Sequence, residues 1–268
     1  MKKMMLFLLV ASSFVANSQT IDEIFARGFQ KYTDGDYEGA IADFNLVIQE
    51  DPQDVNAYYN RGLSKYYLWD DEGAKKDFEM VVALDATDKE GWYYVGISRY
   101  NLFDYWGAIE AQTKAINLDP AYSDALFERG YAKQDVEDYR GSIEDFNKVI
   151  SLEPQNADAY YNRGLAKYKL DDFYGSIADY SKSIEIDPTK SDAWYNRGYA
   201  KYDLADYKGA ILDYSKAIEL SPQASDAFYE RGLAKSKLGE TDAACADWRK
   251  SKEYGSTLAQ AQLDANCN

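Results

Sequence analysis

Gly28, Gly62, Gly96, Gly130, Gly164, Gly198 and Gly232 stand 34 residues apart, with no insertion or deletion between them. A period of that length binds a chain to a quasi-one-dimensional architecture, in which each unit is too small to bury its own apolar face and does so on its neighbours. Seven units follow, beginning near residues 21, 55, 89, 123, 157, 191 and 225. Their first segment reads DAYYNRGLAKY from Asp158, DAWYNRGYAKY from Asp192 and DAFYERGLAKS from Asp226. Their second reads YEGAIADF from Tyr37, YRGSIEDF from Tyr139 and YKGAILDY from Tyr207. Apolar residues at three and four spacing make both segments amphipathic helices. Asp36, Asp70, Asp104, Asp138, Asp172 and Asp206 occupy the N-cap place before the second helices, and Ser123, Ser191 and Ser225 are expected to cap first helices. Pro52, Pro120, Pro154, Pro188 and Pro222 stop the second helices, while Ala86 stands in that register before the third unit.

A helix pair of this length, with small residues at the crossing and proline at the end, resembles the tetratricopeptide repeat family. Tyr160, Gly164, Phe173, Ser176, Tyr180 and Pro188, with their equivalents in the other units, carry the resemblance. It implies an all-α fold: a right-handed α-solenoid of seven helix-turn-helix units over residues 21–258, closed by a C-terminal capping helix and tail at 256–268. It also implies that the first helices line a concave groove.

Where that family commonly has an apolar residue, this chain has Arg27, Arg61, Arg129, Arg163, Arg197 and Arg231. Sixteen residues after each stands an aspartate: Asp43, Asp77, Asp145, Asp179, Asp213 and Asp247. The third unit has Val95 and Ala111 in the two registers, so both charges vanish together. An ion pair between the two helices of a unit requires this, because a buried charge stranded without its partner costs about 3–5 kcal/mol whereas replacing both can be neutral. Lys31, Lys65, Arg99, Lys133, Lys167, Lys201 and Lys235, four residues further on, are placed to reach the same aspartates. These charges read as structural.

The groove-facing registers carry Tyr59, Tyr93, Phe127, Tyr161, Tyr195 and Tyr229, followed by Tyr66, Tyr100, Tyr168 and Tyr202, with Asp158 and Asp192 beside them. Rings with a polar tip make low-entropy contacts for peptides and stack on sugars or basic side chains. The expected function is a non-catalytic scaffold that binds a protein or peptide partner in a tyrosine-lined, acid-edged groove. The alternative is a glycan or small-ligand module using the same groove.

Composition narrows the rest. Lys and Arg total 30 against 46 Asp and Glu, a net charge of -16, which disfavours nucleic acid and favours a monomeric, self-repelling particle. Histidine is absent, removing the usual general base and zinc ligand, so neither an enzyme nor a cofactor is expected. Residues 1–18 read as a cleaved signal peptide: Lys2 and Lys3, an apolar run from Met4 to about Val15, and Ala16-Asn17-Ser18 as a small-x-small site. The mature chain is then expected in the periplasm or secreted, without a membrane span. In such an oxidising place Cys245 and Cys267, the two cysteines of the chain, are expected to form a disulfide.

Overall fold

A computed structural model of the chain describes residues 20–267; the expected signal peptide lies outside the described residues. Within them the helices are α1 (Ile21–Thr33), α2 (Tyr37–Glu50), α3 (Val55–Tyr67), α4 (Asp71–Leu84), α5 (Lys89–Asn101), α6 (Tyr105–Leu118), α7 (Ser123–Asp135), α8 (Tyr139–Leu152), α9 (Ala157–Lys169), α10 (Phe173–Ile186), α11 (Ser191–Asp203), α12 (Tyr207–Leu220), α13 (Ser225–Lys237), α14 (Thr241–Glu253) and α15 (Ala259–Asn266). They fall into two compact units, one ending at Leu118 and the other starting at Asp119. Each is all-α, a stack of paired helices in which every helix packs on the next along the chain.

One junction repeats through both units. The first helix of a pair closes with a Schellman-type bond, as where the Asp172 N–H donates to the Lys167 carbonyl at 3.0 Å. The same aspartate then caps the second helix, its Oδ1 accepting from the Gly175 N–H at 2.9 Å. The residue between them must take positive φ. Gly35 and Gly239 do so freely, but Trp69, Phe103, Glu137, Asp171 and Ala205 take it at φ of 59–62°.

The serine caps are corrected by the structure. Tyr122, Lys190 and Ala224 are the N-cap residues of α7, α11 and α13, and none makes a side-chain cap. Ser123, Ser191 and Ser225 lie one residue too late, inside the first turn, where a hydroxyl no longer faces the open N–H groups. In the true register, Asp54, Asp88 and Asn156 accept from Ala57, Gly91 and Ala159. Proline is not required to end a second helix: α4 stops at Leu84 without one. There Asp85 turns the chain by accepting from the Thr87 N–H at 2.9 Å, as Asp51 and Asp187 do for Gln53 and Thr189. The tail helix starts at Ala259, three residues later than expected, and packs on α14, with Cys245 and Cys267 joined at a Cα–Cα distance of 5.7 Å.

In each pair but the third, the core holds an aromatic side chain of the second helix set under the glycine of the first. Phe44, Phe78, Phe146, Tyr180, Tyr214 and Trp248 are fully buried there. A Cβ added at Gly164 would come within 2.8 Å of Tyr180, so the glycine sets how closely the helices cross. The third pair has Gln112 in this row, held by an Nε2–H bond to the Tyr93 carbonyl at 3.1 Å. Ala205→Gly should raise stability by about 0.5–1 kcal/mol in urea unfolding, because relief of the left-handed strain exceeds the entropy glycine adds to the unfolded chain; a loss would refute strain at this turn.

Candidate functional site

The arginine register has one geometry throughout. Arg27, Arg61, Arg129, Arg163, Arg197 and Arg231 donate from Nε to the Oδ2 of Asp43, Asp77, Asp145, Asp179, Asp213 and Asp247 at 2.8–3.0 Å. Each Nη2 donates to the other oxygen of the same carboxylate. Lys31, Lys65, Lys133, Lys167, Lys201 and Lys235 complete the cluster, with Nζ 2.7–2.9 Å from Oδ2. The aspartates are buried and their cations are partly exposed. A carboxylate held by a fork and an ammonium keeps its charge, and Arg27, with Lys31 behind it, holds the Asp43 carboxyl below the usual range.

A second half of this arrangement escaped the sequence reading. Arg61 and Arg163 donate from Nη1 to the Oδ1 of Asn45 and Asn147 at 2.6 and 2.7 Å, and Arg197 and Arg231 to the Oγ of Ser181 and Ser215 at 3.0 Å. These acceptors sit on the second helix of the preceding pair, so each of these guanidiniums ties two repeats as well as two helices. The signal was present, an Asn or Ser sixteen residues upstream. In the third pair Val95 and Ala111 are buried, and Arg99 turns to Glu79 at 3.1 Å.

The groove registers are half-buried, with Asp158 and Asp192 exposed beside them. Tyr59, Phe127, Tyr161 and Tyr195 set their rings 5.4–5.9 Å from Phe78, Phe146, Tyr180 and Tyr214 of the core row. Tyr93 packs on Tyr94, and the Tyr229 carbonyl accepts from the Trp248 indole at 3.3 Å. Tyr100, Tyr168 and Tyr202 lie 5.2–5.4 Å from Tyr105, Phe173 and Tyr207, across the turn of their own pair, and Tyr66 packs on Tyr67. Tyr59, Phe127, Tyr161 and Tyr195 are therefore fixed by a buried ring of the core on one side. Two cavities adjoin the row. One, of 330 Å³, is lined by Asp192, Tyr195, Ala224, Ser225 and Asp226, and another, of 190 Å³, by Asp124, Phe127, Glu128, Asn156 and Asp158.

Sequence reading also passed over the residue just before each arginine. In this register Glu128 and Glu230 have carboxyls pushed up to about 7, first by burial and then by Asp124 in one case and by Asp226 and Asp203 in the other. Asn60, Asn162 and Asn196 occupy the same register, and their amides bond carbonyls one turn back.

The models for the tetratricopeptide repeat match residues 157–190 and 191–223, and a TPR repeat model matches 137–171. No curated protein matches the sequence. Among solved structures, the chain is similar to the C-terminal part of a TPR repeat-containing protein from Cytophaga hutchinsonii, at 20% identity over 89% of this chain and 99% of that one, with a TM-score of 0.75. It is similar to the MamA protein at 26% identity, over 64% and 94%, with a TM-score of 0.61. It is also similar to YrrB, a TPR protein with an unusual peptide-binding site, at 18% identity over 70% and 96%, with a TM-score of 0.61.

Two measurements check this electrostatics. Asp179→Ala leaves Arg163 and Lys167 facing each other and should cost about 3–5 kcal/mol in urea unfolding, more than the double change Arg163→Val with Asp179→Ala, which copies the third pair. Equal losses would mean that the cations do not depend on the carboxylate. Glu128 and Glu230 have folded pKa values near 7, above the ordinary 4.5, so the folded state holds protons that the unfolded state releases between those values. Stability from them is greatest at the acid end of this window and falls as pH rises through 7. The melting temperature should therefore be higher at pH 5.5 than at pH 8, and the difference should shrink in the Glu128→Gln, Glu230→Gln variant.

Proposed function

Taking as premise that this chain is a TPR repeat protein, we propose that it is a non-catalytic scaffold whose first helices bind an extended segment of a protein partner. Protein–protein interaction is the general role of the repeat. The observation that carries the finer reading is the row of half-buried rings edged by carboxylates. Tyr195 is fixed from behind by Tyr214, so little side-chain entropy is lost when a ligand meets its ring. Asp192 and Asp226 line the cavity beside Tyr195 and favour a basic segment over an acidic one. The likeness to YrrB, which has a peptide-binding site, agrees with this use of the fold.

Export is part of the same proposal. Lys2, Lys3 and the apolar run to Val15 have the order of a secretory leader, and the Cys245–Cys267 bond suits an oxidising compartment. Among the described residues no helix is long and apolar enough to cross a membrane.

The test is cross-linked capture of partners from envelope and culture fractions by the wild-type protein, with affinity for the captured partner then measured for an Asp192→Lys, Asp226→Lys variant. Both residues are exposed, so folding should survive, checked by circular dichroism. Charge reversal should weaken binding by about tenfold or more. Undiminished binding would move the site off these helices.

A further inference from the structure

One repeat carries inside itself an imitation of a ligand. Lys190, just before α11, sends its side chain back to α9, where its ammonium pairs with Asp158 and stands 4.8 Å from the centre of the Tyr161 ring. The Tyr161 hydroxyl accepts from the Asn196 amide at 2.9 Å. Carboxylate and aromatic face together hold an alkylammonium that would otherwise be in water.

The same place one repeat later has the receptor without the cation. Asp192 and Tyr195 stand where Asp158 and Tyr161 do, but Ala224 replaces Lys190 and Glu230 replaces Asn196. Without the lysine, the space is the 330 Å³ cavity between α11 and α13, with Asp192 and Asp226 at its wall. Glu230, one turn after Asp226 on α13, raises the cost of ionising the Tyr195 phenol at the cavity wall. Among the described residues no lysine or arginine pairs with Asp192, Asp226 or Glu230. Beneath them the Tyr214 hydroxyl is fully buried and has no hydrogen-bond partner, and Glu230 is the first of the charges that bear on it. Carboxyls gathered without a cation are costly to ionise, Glu230 under the influence of Asp226 and Asp203, and the unpartnered Tyr214 hydroxyl adds a buried polar atom behind Tyr195. A bound cation offsets the charge of these carboxyls.

We propose that this cavity is a binding site for an alkylammonium group, the side chain of a lysine in the partner segment, seated where Lys190 sits one repeat earlier. This rests on the reading of the first helices as a partner-binding face, and it names the residue type that face selects. An ammonium is favoured over a guanidinium because the internal example is a single point charge over one ring, with no second acceptor arranged for a planar fork.

The experiment selects displayed random decapeptides on the full chain. Enriched peptides should share a lysine, and should bind about tenfold or more weakly to Ala224→Lys, which places the internal ammonium in the cavity, and to Asp192→Asn. Ala224→Ser should bind as the wild type does, and Ala224→Lys should also melt higher than the wild type, which excludes misfolding as the cause. Enriched peptides without lysine, or equally strong binding to Ala224→Lys, would overturn the ammonium site while the partner-binding face stands. No enriched peptide at all would count against that face, and n-butylammonium chloride would then judge the cavity alone. A rise in melting temperature beyond that given by sodium chloride at equal ionic strength, absent in Ala224→Lys, supports the site. An equal rise with both salts overturns it.

Discussion

A charge that must be buried to hold two helices together governs the rest of this structure. The aspartate of each cluster lies at the crossing of a helix pair, beside the glycine that lets the helices approach, where apolar contact would ordinarily suffice. Desolvating a carboxylate there is costly unless its lone pairs are filled, and the arginine fork with the neighbouring lysine fills them from opposite sides. The arginine also rests on the ring three residues before it, Arg163 over Tyr160 at 5.4 Å and Arg197 over Trp194 at 4.7 Å, so its apolar faces are covered while its edges donate. Arg61, Arg163, Arg197 and Arg231 also donate from Nη1 to the preceding repeat. Helix pairing and repeat stacking are thereby set by one side chain.

The third pair shows what happens without it. Val95 and Ala111 occupy the same crossing without a charge, in keeping with removal of both partners together. Its core row, however, also loses the aromatic ring, and Gln112 leaves its Oε1 without a partner. This pair exchanges the ion pair and the large ring for Val95, Ala111 and the Gln112 amide, and it ends the first of the two compact units.

Because the arginines and lysines are committed to their aspartates, the other acidic residues of the first helices in the second unit have few cations to meet. Asp124, Asp192, Asp203 and Asp226 bear on Glu128, Glu230 and the groove tyrosines, and raise the cost of ionising them. In the second unit these carboxylates are grouped around the first-helix rings. Where the sequence supplies a lysine in reach, as at Lys190, the charge is neutralised internally.

The repeat by itself determined the all-α class, the helix pairs, the sixteen-residue Arg–Asp spacing and the disulfide partners, because each follows from a period or from a count of two. The groove registers were legible as tyrosine and aspartate at fixed offsets, but not that each ring leans on the core, which depends on the helix crossing. The serine caps failed because a capping residue and its neighbour differ by one position, and hydroxyl-bearing residues suit both. Only the tertiary structure brought Arg163 to Asn147, Lys190 to Asp158 and Glu230 to Tyr214. Periodicity fixes what lies on a helix face, whereas the stacking of one repeat on another decides which side chains from different faces share a dielectric and a cavity.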